Sequence, residues 1–473
     1  VRGFARVVLV AAVLAGCGVA AGCGDHPPTP ALADVHPCDP ATLGSIAPPP
    51  NVEFSCATLA VPLDHRLMPG PRVDRQLALP IAMTENAVAP RGVLVWLNGG
   101  PGSPGVQLAG EIAGQFDPAV LRDYRLVLFS QRGTGPNALQ CPGLQEAVGS
   151  AMEVPPPGVV EDCAQAIGSH RRFFGTADTV ADLEALRRAL GADKLTLAGA
   201  SYGTVPAARY AMKYPDRVAR LVLDSVVPHD GLDPLMLDVF PRAAEVLRGA
   251  CARSRCPTDA AADLAEVIRV RHNGLEMLNV VTKLAPKPRL AELLVALREA
   301  ARGDGRGLDT LLVDVRKPKG AGGSPADEFS RGLNVTTSCQ DMHGPWGGVS
   351  APAVGRAEAA DKVAAALPER AFFPFDRATA LTNGTVVACE RWPETSVPAF
   401  SVGRDLPPVP TLLLAGERDL TTPLGWTQKE AARAPNHRLV VVPGAGHITQ
   451  DVAFGRVGRD VVTEFLVDRP GLK

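Results

Sequence analysis

Residues 194–204 read Lys-Leu-Thr-Leu-Ala-Gly-Ala-Ser-Tyr-Gly-Thr. Ser201 sits in Gly199-Ala200-Ser201-Tyr202-Gly203, between a short apolar run that begins at Leu195 and an alanine-rich stretch over 206–214. Strand, Gly-x-Ser-x-Gly, helix is the setting of a nucleophile elbow. A serine at the tip of so sharp a turn takes a strained backbone conformation, and residues two places away must be small because strand and helix nearly touch. The turn lifts the hydroxyl out of the sheet and points the Tyr202 N–H at the oxygen of a reacting carbonyl. The pentapeptide alone is weak evidence, since a chain with 47 glycines produces it by chance. The flanking strand and helix make Ser201 the expected nucleophile rather than part of an ordinary tight turn.

A serine hydroxyl needs a base to take its proton and a carboxylate to orient that base. Behind such an elbow the acid comes next in the chain and the histidine last. His447 is the expected base: it follows the apolar run 438–442 in Pro443-Gly444-Ala445-Gly446-His447. His437 competes, but it precedes that run and falls at the wrong end. Asp419 is the expected acid, in Gly416-Glu417-Arg418-Asp419 after another apolar run, because catalytic groups collect at the carboxyl edge of a parallel sheet. The Thr421 and Thr422 hydroxyls are placed to support it. Asp224 also ends a strand and is the alternative acid, with backbone bonding as its ordinary role. The oxyanion needs two fixed N–H donors. Tyr202 supplies one, and Asn98-Gly99-Gly100-Pro101-Gly102 the other, since glycine lets backbone approach a substrate closely. Gly100 is the expected donor and Gly99 the alternative.

These residues need a sheet to carry them. Residues 58–64 and 77–82 read as an opening antiparallel pair, and Val93–Leu97 and Arg125–Phe129 are continuous apolar runs of buried strands. A helix is predicted over 179–190 with Asp178 as its cap, then the nucleophile strand, then a strand over 220–227. The alternation implies an α/β fold with a mostly parallel sheet and helices on both faces. Residues 229–399 are mainly helical in pattern, beginning with the cap-and-proline pair Asp233-Pro234 and including Leu290, Leu293, Leu294 and Leu297 on one helix face. They read as a helical cap or lid inserted into a core built from 51–228 and 400–473.

The chain has 473 residues, 46% hydrophobic and 21% charged, enough for one large domain with an insertion or for two domains. A net charge of −2 gives no footprint for nucleic acid. Ten cysteines suit an exported protein better than a cytosolic one. Arg2 and Arg6 precede or open an apolar and small-residue run over 7–22, shorter than the roughly 20 residues that span a bilayer and patterned as a signal peptide. Leu14-Ala15-Gly16-Cys17 resembles a lipobox, which makes Cys17 the expected lipidation site. Cys23 is a second candidate, and a plain secretory signal is the alternative. After a leader over 1–23, residues 24–50 are rich in proline and read as an extended tether to the membrane. The expected location is the cell envelope, on the outer face of the cell membrane.

The Gly-Gly-Pro-Gly turn, the loop Gln131-Arg132-Gly133-Thr134-Gly135, the Gly-Ala-Ser-Tyr-Gly-Thr segment, the late aspartate and Gly446-His447 together resemble the α/β-hydrolase fold. More narrowly they resemble prolyl aminopeptidase-type serine peptidases, in the branch of tripeptidyl aminopeptidases and the mycobacterial envelope lipoprotein protease/carboxylesterase. The resemblance runs from Cys38 to the C-terminus and includes residues 337–341 and 389–393. Asn98 and Ser130 depart from it, standing where His and Asp are usual. The resemblance implies a serine aminopeptidase that releases short peptides from free N-termini through an acyl-enzyme on Ser201, with no cofactor and no metal. A carboxylesterase or lipase acting on envelope lipids shares the same chemistry. A non-catalytic envelope binding protein is the reading of another class, and the complete triad argues against it. Serine at the elbow disfavours an epoxide hydrolase, which uses Asp there. Proximity and the resemblance pair Cys38 with Cys56, Cys141 with Cys163, Cys251 with Cys256 and Cys339 with Cys389; the alternative, a zinc site, lacks paired Cys-x-x-Cys spacing. Asp341 and Glu390, beside the last pair, are the expected ligands of a substrate ammonium.

Overall fold

The computed structural model describes residues 30–66, 76–150, 152–316, 325–397 and 403–468. Cys17, Cys23 and the expected signal peptide lie outside the described residues.

Nine strands form one sheet in the order β1-β2-β3-β5-β4-β6-β7-β8-β9. Its antiparallel edge is β1 (Leu32–Pro37), β2 (Phe54–Pro62) and β3 (Gln76–Thr84), and β3 runs antiparallel to β5 (Arg125–Phe129). The rest is parallel: β5, β4 (Val93–Leu97), β6 (Leu195–Ala200), β7 (Val218–Asp224), β8 (Thr411–Gly416) and β9 (His437–Val442). Every residue of β4, β6 and β8 is buried, as strands covered on both faces must be. β1 corrects the tether expectation for part of 24–50: Leu32–Pro37 pairs with β2, and Cys38 is bonded to Cys56, so sheet structure begins well before residue 51.

Period-two alternation sends side chains to opposite faces. Leu94, Trp96, Leu126, Leu128, Leu412 and Leu414 pack on one face with α1 (Ala109–Gln115), α2 (Pro118–Asp123) and the C-terminal α17 (Val457–Val467). Val95, Leu97, Val127, Leu197, Leu223 and Leu413 pack on the other with α5 (Thr176–Ala189), α6 (Thr204–Lys213) and α16 (Leu424–Ala431). Asp178 is at the third position of α5, not its cap; its carboxylate reaches back to the Gly175 N–H at 3.3 Å.

Between β5 and α5 lie α3 (Pro142–Ala147) and α4 (Val159–Ile167), joined by the Cys141–Cys163 disulfide. Between β7 and β8 come α7 (Val239–Ser254), α8 (Ala260–Arg271), α9 (Gly274–Leu284), α10 (Leu290–Ala301), α11 (Arg306–Arg316), α12 (Arg331–Asp341), α13 (Arg356–Ala366), α14 (Arg377–Leu381) and α15 (Gly384–Arg391). This insertion does not open with a helix at Asp233-Pro234: α7 starts at Val239, and the Asp233 carboxylate instead accepts the Asp238 N–H at 2.9 Å. Phe240, Leu247, Leu264, Leu278, Leu293 and Leu297 form its main core, which extends to Tyr202, Val205 and Trp426 of the sheet region. A second core joins α12 and α15 to α3 and α4 through Leu144, Val160, Val335, Cys339, Cys389 and Trp392. Residues near 141–167 therefore pack as part of the helical layer, although they precede β6.

His229 ties the two ends of the insertion. Its Nε2 donates to the Arg404 carbonyl at 2.9 Å, and its Nδ1 lies 2.8 Å from the Glu430 carboxylate on α16. Two acceptors require both nitrogens to donate, which is the imidazolium. Among the described residues no helix is long and apolar enough to cross a membrane.

Candidate active site

Ser201 directly follows β6 with φ +55°, the left-handed backbone of an elbow. A Cβ on Gly199 would lie 2.3 Å from the Gly203 carbonyl oxygen, and one on Gly203 would lie 2.0 Å from that of Leu97. No side chain fits at either place, which is the steric reason for glycine on both sides of Ser201. β6 lies between β4 and β7, so the loops after all three converge on the same edge.

The loop after β8 carries Asp419, fully buried. Its carboxylate accepts the Thr421 N–H at 2.9 Å, the Thr422 N–H at 3.0 Å and the Thr422 hydroxyl at 2.7 Å. His447, in the loop after β9, places Nδ1 3.0 Å from Asp419 Oδ2. Burial alone would raise the Asp419 pKa, but the facing His447 and the Thr422 bonds outweigh it and hold the carboxyl below its ordinary range. Burial likewise opposes an imidazolium, yet the Asp419 charge and hydrogen bond win and push the His447 pKa up. With its Nδ1–H given to Asp419, neutral His447 keeps the Nε2 lone pair for a proton. His437 stands at the far end of β9, its Nδ1 bonded to the Ala434 carbonyl at 2.5 Å.

Asp224 does not bond His447. It accepts the Thr449 N–H at 3.0 Å, the Gln450 N–H at 3.2 Å and the Gln450 side-chain amide at 3.1 Å, so the alternative acid holds the chain just past the histidine. Burial pushes its pKa up.

The loop after β4 lies against Ser201: a Cβ on Gly99 would lie 2.7 Å from Ser201 Cβ. Both departures from the expected motifs brace this loop. Asn98 accepts from Trp96 Nε1 and donates to the Pro104 carbonyl, each at 2.5 Å, while Ser130 Oγ accepts the Gly105 and Val106 N–H groups at 3.1 Å.

The model of the alpha/beta hydrolase fold family matches residues 92–277, which carry Gly100, Ser201 and Tyr202. The chain has the α/β-hydrolase fold. A second model, TAP-like protein, matches residues 374–469, with Asp419 and His447. The chain is 31% identical over 192 residues to a tripeptidyl aminopeptidase of Streptomyces lividans, covering 37% of this chain and 35% of that protein. It is 30% identical over 249 residues to the serine protease Hip1 of Mycobacterium tuberculosis, covering 47% and 46%. To a probable proline iminopeptidase of Streptomyces coelicolor it is 32% identical over 159 residues, covering 32% and 39%. The chain thus spans less than half the length of each of these relatives.

A cavity of about 150 Å³ opens at Ser201, Gly100 and Tyr202 and runs between the sheet edge and the inserted helices. Its apolar wall includes Val205, Val227, Met236, Val239, Met342 and Trp426, and Thr422 lies both on this wall and 3.3 Å from His447 Nδ1. The structure separates the two carboxylates expected to bind an ammonium. Asp341 lines the cavity, but one oxygen is 3.0 Å from Arg209 and the other accepts the Thr176 hydroxyl. Glu390 is not among the cavity-lining residues; it is half-buried on α15, and burial, reinforced by Asp361, pushes its carboxyl up to about 7. Sequence reasoning missed Asp233 as a cavity carboxylate, having read it as a helix cap. Asp233 lines the cavity and forms no ion pair among the described residues, and burial pushes its pKa up. The Cys38–Cys56, Cys141–Cys163, Cys251–Cys256 and Cys339–Cys389 pairs are all bonded.

Proposed function

We propose that this hydrolase is an exported serine aminopeptidase that releases short peptides from free N-termini, with Ser201, His447 and Asp419 as its triad. The observation that carries this is the 3.0 Å Asp419–His447 contact at the sheet edge that also presents the strained Ser201. Ser201 Oγ attacks the scissile carbonyl as its proton passes to His447 Nε2, and Asp419 stabilises the imidazolium. The tetrahedral oxyanion accepts the N–H groups of Tyr202 and Gly100. His447 then protonates the leaving amine, and water, activated by the same imidazole, releases the acyl group. The inserted helices over 229–399 act as a cap that closes this chemistry off from solvent, and Asp233 is the best-placed carboxylate for the substrate ammonium.

A serine-directed phosphonate tests the reading: it labels the wild type at Ser201, and Ser201→Ala abolishes turnover with the fold intact. Labelling elsewhere, or turnover in that variant, overturns it. A carboxylesterase is the second reading, favoured by the largely apolar cavity wall. A panel of free peptides, N-blocked peptides and short and long acyl esters separates the two. Attachment to the outer face of the cell membrane through lipid on Cys17, or on Cys23, is part of the proposal. Mass spectrometry of the mature N-terminus checks it, and a product that begins beyond Cys23 without acyl mass excludes it.

A further inference from the structure

α12 touches both sides of the oxyanion hole. At its start, Ser330 caps the helix by accepting the Leu333 N–H at 3.1 Å, while the Ser330 N–H donates to the Gly102 carbonyl at 3.0 Å. The approach is close: a Cβ on Gly102 would lie 2.5 Å from the Ser330 carbonyl oxygen, and one on Gly100 would lie 3.1 Å from the Phe329 ring. One turn into the helix, Asn334 Nδ2 donates to the Pro101 carbonyl at 2.9 Å. The helix therefore grips the Gly-Gly-Pro-Gly loop at consecutive points.

Two turns further, roughly 10 Å along the axis at 1.5 Å per residue, Asp341 projects from the same side of the helix. The Thr176 hydroxyl donates to the Asp341 carboxylate, and Thr176 Oγ1 lies 2.5 Å from Tyr202 Oη. Thr176 has one proton and gives it to the carboxylate, so Tyr202 must be the donor in the second bond. Burial and the nearby Asp341 charge push the Tyr202 pKa up, which keeps its proton in place. The other Asp341 oxygen pairs with Arg209 of α6, the helix that leads away from Ser201. α12 is tied in turn to α15 by the Cys339–Cys389 disulfide.

We propose that α12 is the brace of the oxyanion hole, with Asn334 fixing the loop of Gly100 and Asp341 fixing Tyr202 through Thr176. This rests on the serine-hydrolase reading above, with Gly100 and Tyr202 as donors. It turns Asp341 from an ammonium ligand into a positioning residue, and it links closure of the helical layer to formation of the anion site. An oxyanion hole works because its donors are fixed before charge develops, so loosening either donor lowers turnover while leaving ground-state binding alone.

The test uses p-nitrophenyl acetate, which has no ammonium, beside a free tripeptide p-nitroanilide and an aryl phosphonate that forms a tetrahedral anion on serine. Deleting a donor outright costs about 100- to 1000-fold in kcat, so a displaced donor is expected to cost about tenfold. Asn334→Ala and Asp341→Asn should each lower kcat on the ester by about that factor with KM within about twofold, and slow phosphonate labelling in parallel. Tyr202→Phe keeps the backbone donor and the Asp341–Arg209 pair but removes the phenol link, and it should show the same kcat loss without depending on a weakened α12. Unchanged ester kcat in the three variants, with or without a lower melting temperature, overturns the brace. A rise in peptide KM alone in Asp341→Asn overturns it too, by returning Asp341 to substrate binding. Phosphonate labelling of Ser201 in the wild type separates these failures from failure of the serine-hydrolase reading itself.

Discussion

The Ser225 hydroxyl accepts the backbone N–H of Ile448 at 2.8 Å, fixing the residue directly after His447. Ser225 has φ +55° and Ile448 φ +65°, so both partners hold left-handed backbone that β-branched Ile in particular resists. Asp224 takes the next two N–H groups, of Thr449 and Gln450. The end of β7 is thus a clamp for the loop after β9 that carries His447. Asp224→Ala would leave buried donors unsatisfied at about 1–3 kcal/mol for each such group, and we expect a lower denaturation midpoint together with reduced kcat. Asp419→Asn should instead lower kcat by on the order of 10⁴ with little loss of stability. Chemical denaturation and ester kinetics on Asp224→Asn and Asp419→Asn decide the roles, which reverse if Asp224→Asn loses more kcat.

The pH profile should report His447. In the proposed mechanism neutral imidazole is the base, and the His447 pKa is raised above 6.5 by the Asp419 charge acting against burial. Activity should therefore rise with pH through a value above 6.5. Asp419→Asn removes the raising influence and should move that limb to lower pH. Glu390, pushed up to about 7, titrates in the same window, so kcat/KM profiles of Glu390→Gln beside Asp419→Asn assign the limb.

His229 should make stability depend on pH. Burial lowers its pKa, but the Glu430 carboxylate more than offsets this, so the folded pKa lies above the ordinary 6.5. For a group raised on folding, the stabilisation is fully present below the unfolded pKa and is lost as pH rises through the folded one. Denaturant midpoints should accordingly fall as pH rises above about 6.5, and His229→Gln, which can still donate to the Arg404 carbonyl, should flatten that slope. An unchanged slope would place the pH dependence elsewhere.

The sequence pattern located the elbow, Asp419 and His447 because each follows a continuous apolar strand, and strand ends are where a parallel sheet gathers polar loops. It could not locate Asp233. An Asp-Pro pair before a helical pattern has a sufficient local explanation as a cap, whereas Asp233 in fact lines the cavity and its carboxylate accepts the Asp238 N–H. The tether reading failed over 32–37 for a similar reason: proline-rich composition does not reveal that a segment pairs with β2. Likewise, nothing in residues 141–167 announces that α3 and α4 pack on α12 and α15, since contacts across nearly two hundred residues leave no local period.

Substrate choice should turn on Asp233. Asp233 lines the cavity without an ion-pair partner among the described residues, and burial holds its pKa above the ordinary carboxylate range. A bound ammonium would supply the missing charge and favour the ionised carboxylate. A charge-assisted hydrogen bond contributes about 1.5–3 kcal/mol. Asp233→Asn should therefore raise KM for free tripeptide substrates by about 10- to 100-fold, at about 1.4 kcal/mol for each factor of ten. It should spare kcat on these peptides, because the contact exists in ground and transition states alike, and it should leave p-nitrophenyl acetate unaffected, because that ester has no ammonium. Asp341→Asn is expected to behave in the opposite way, losing kcat on that ester. N-acetylated peptides should be poor substrates of the wild type and should gain nothing further from an intact Asp233. If blocked and free peptides are cleaved equally and Asp233→Asn leaves both KM values unchanged, the cavity does not read an N-terminus. The esterase reading then leads, with the same Ser201 chemistry behind it.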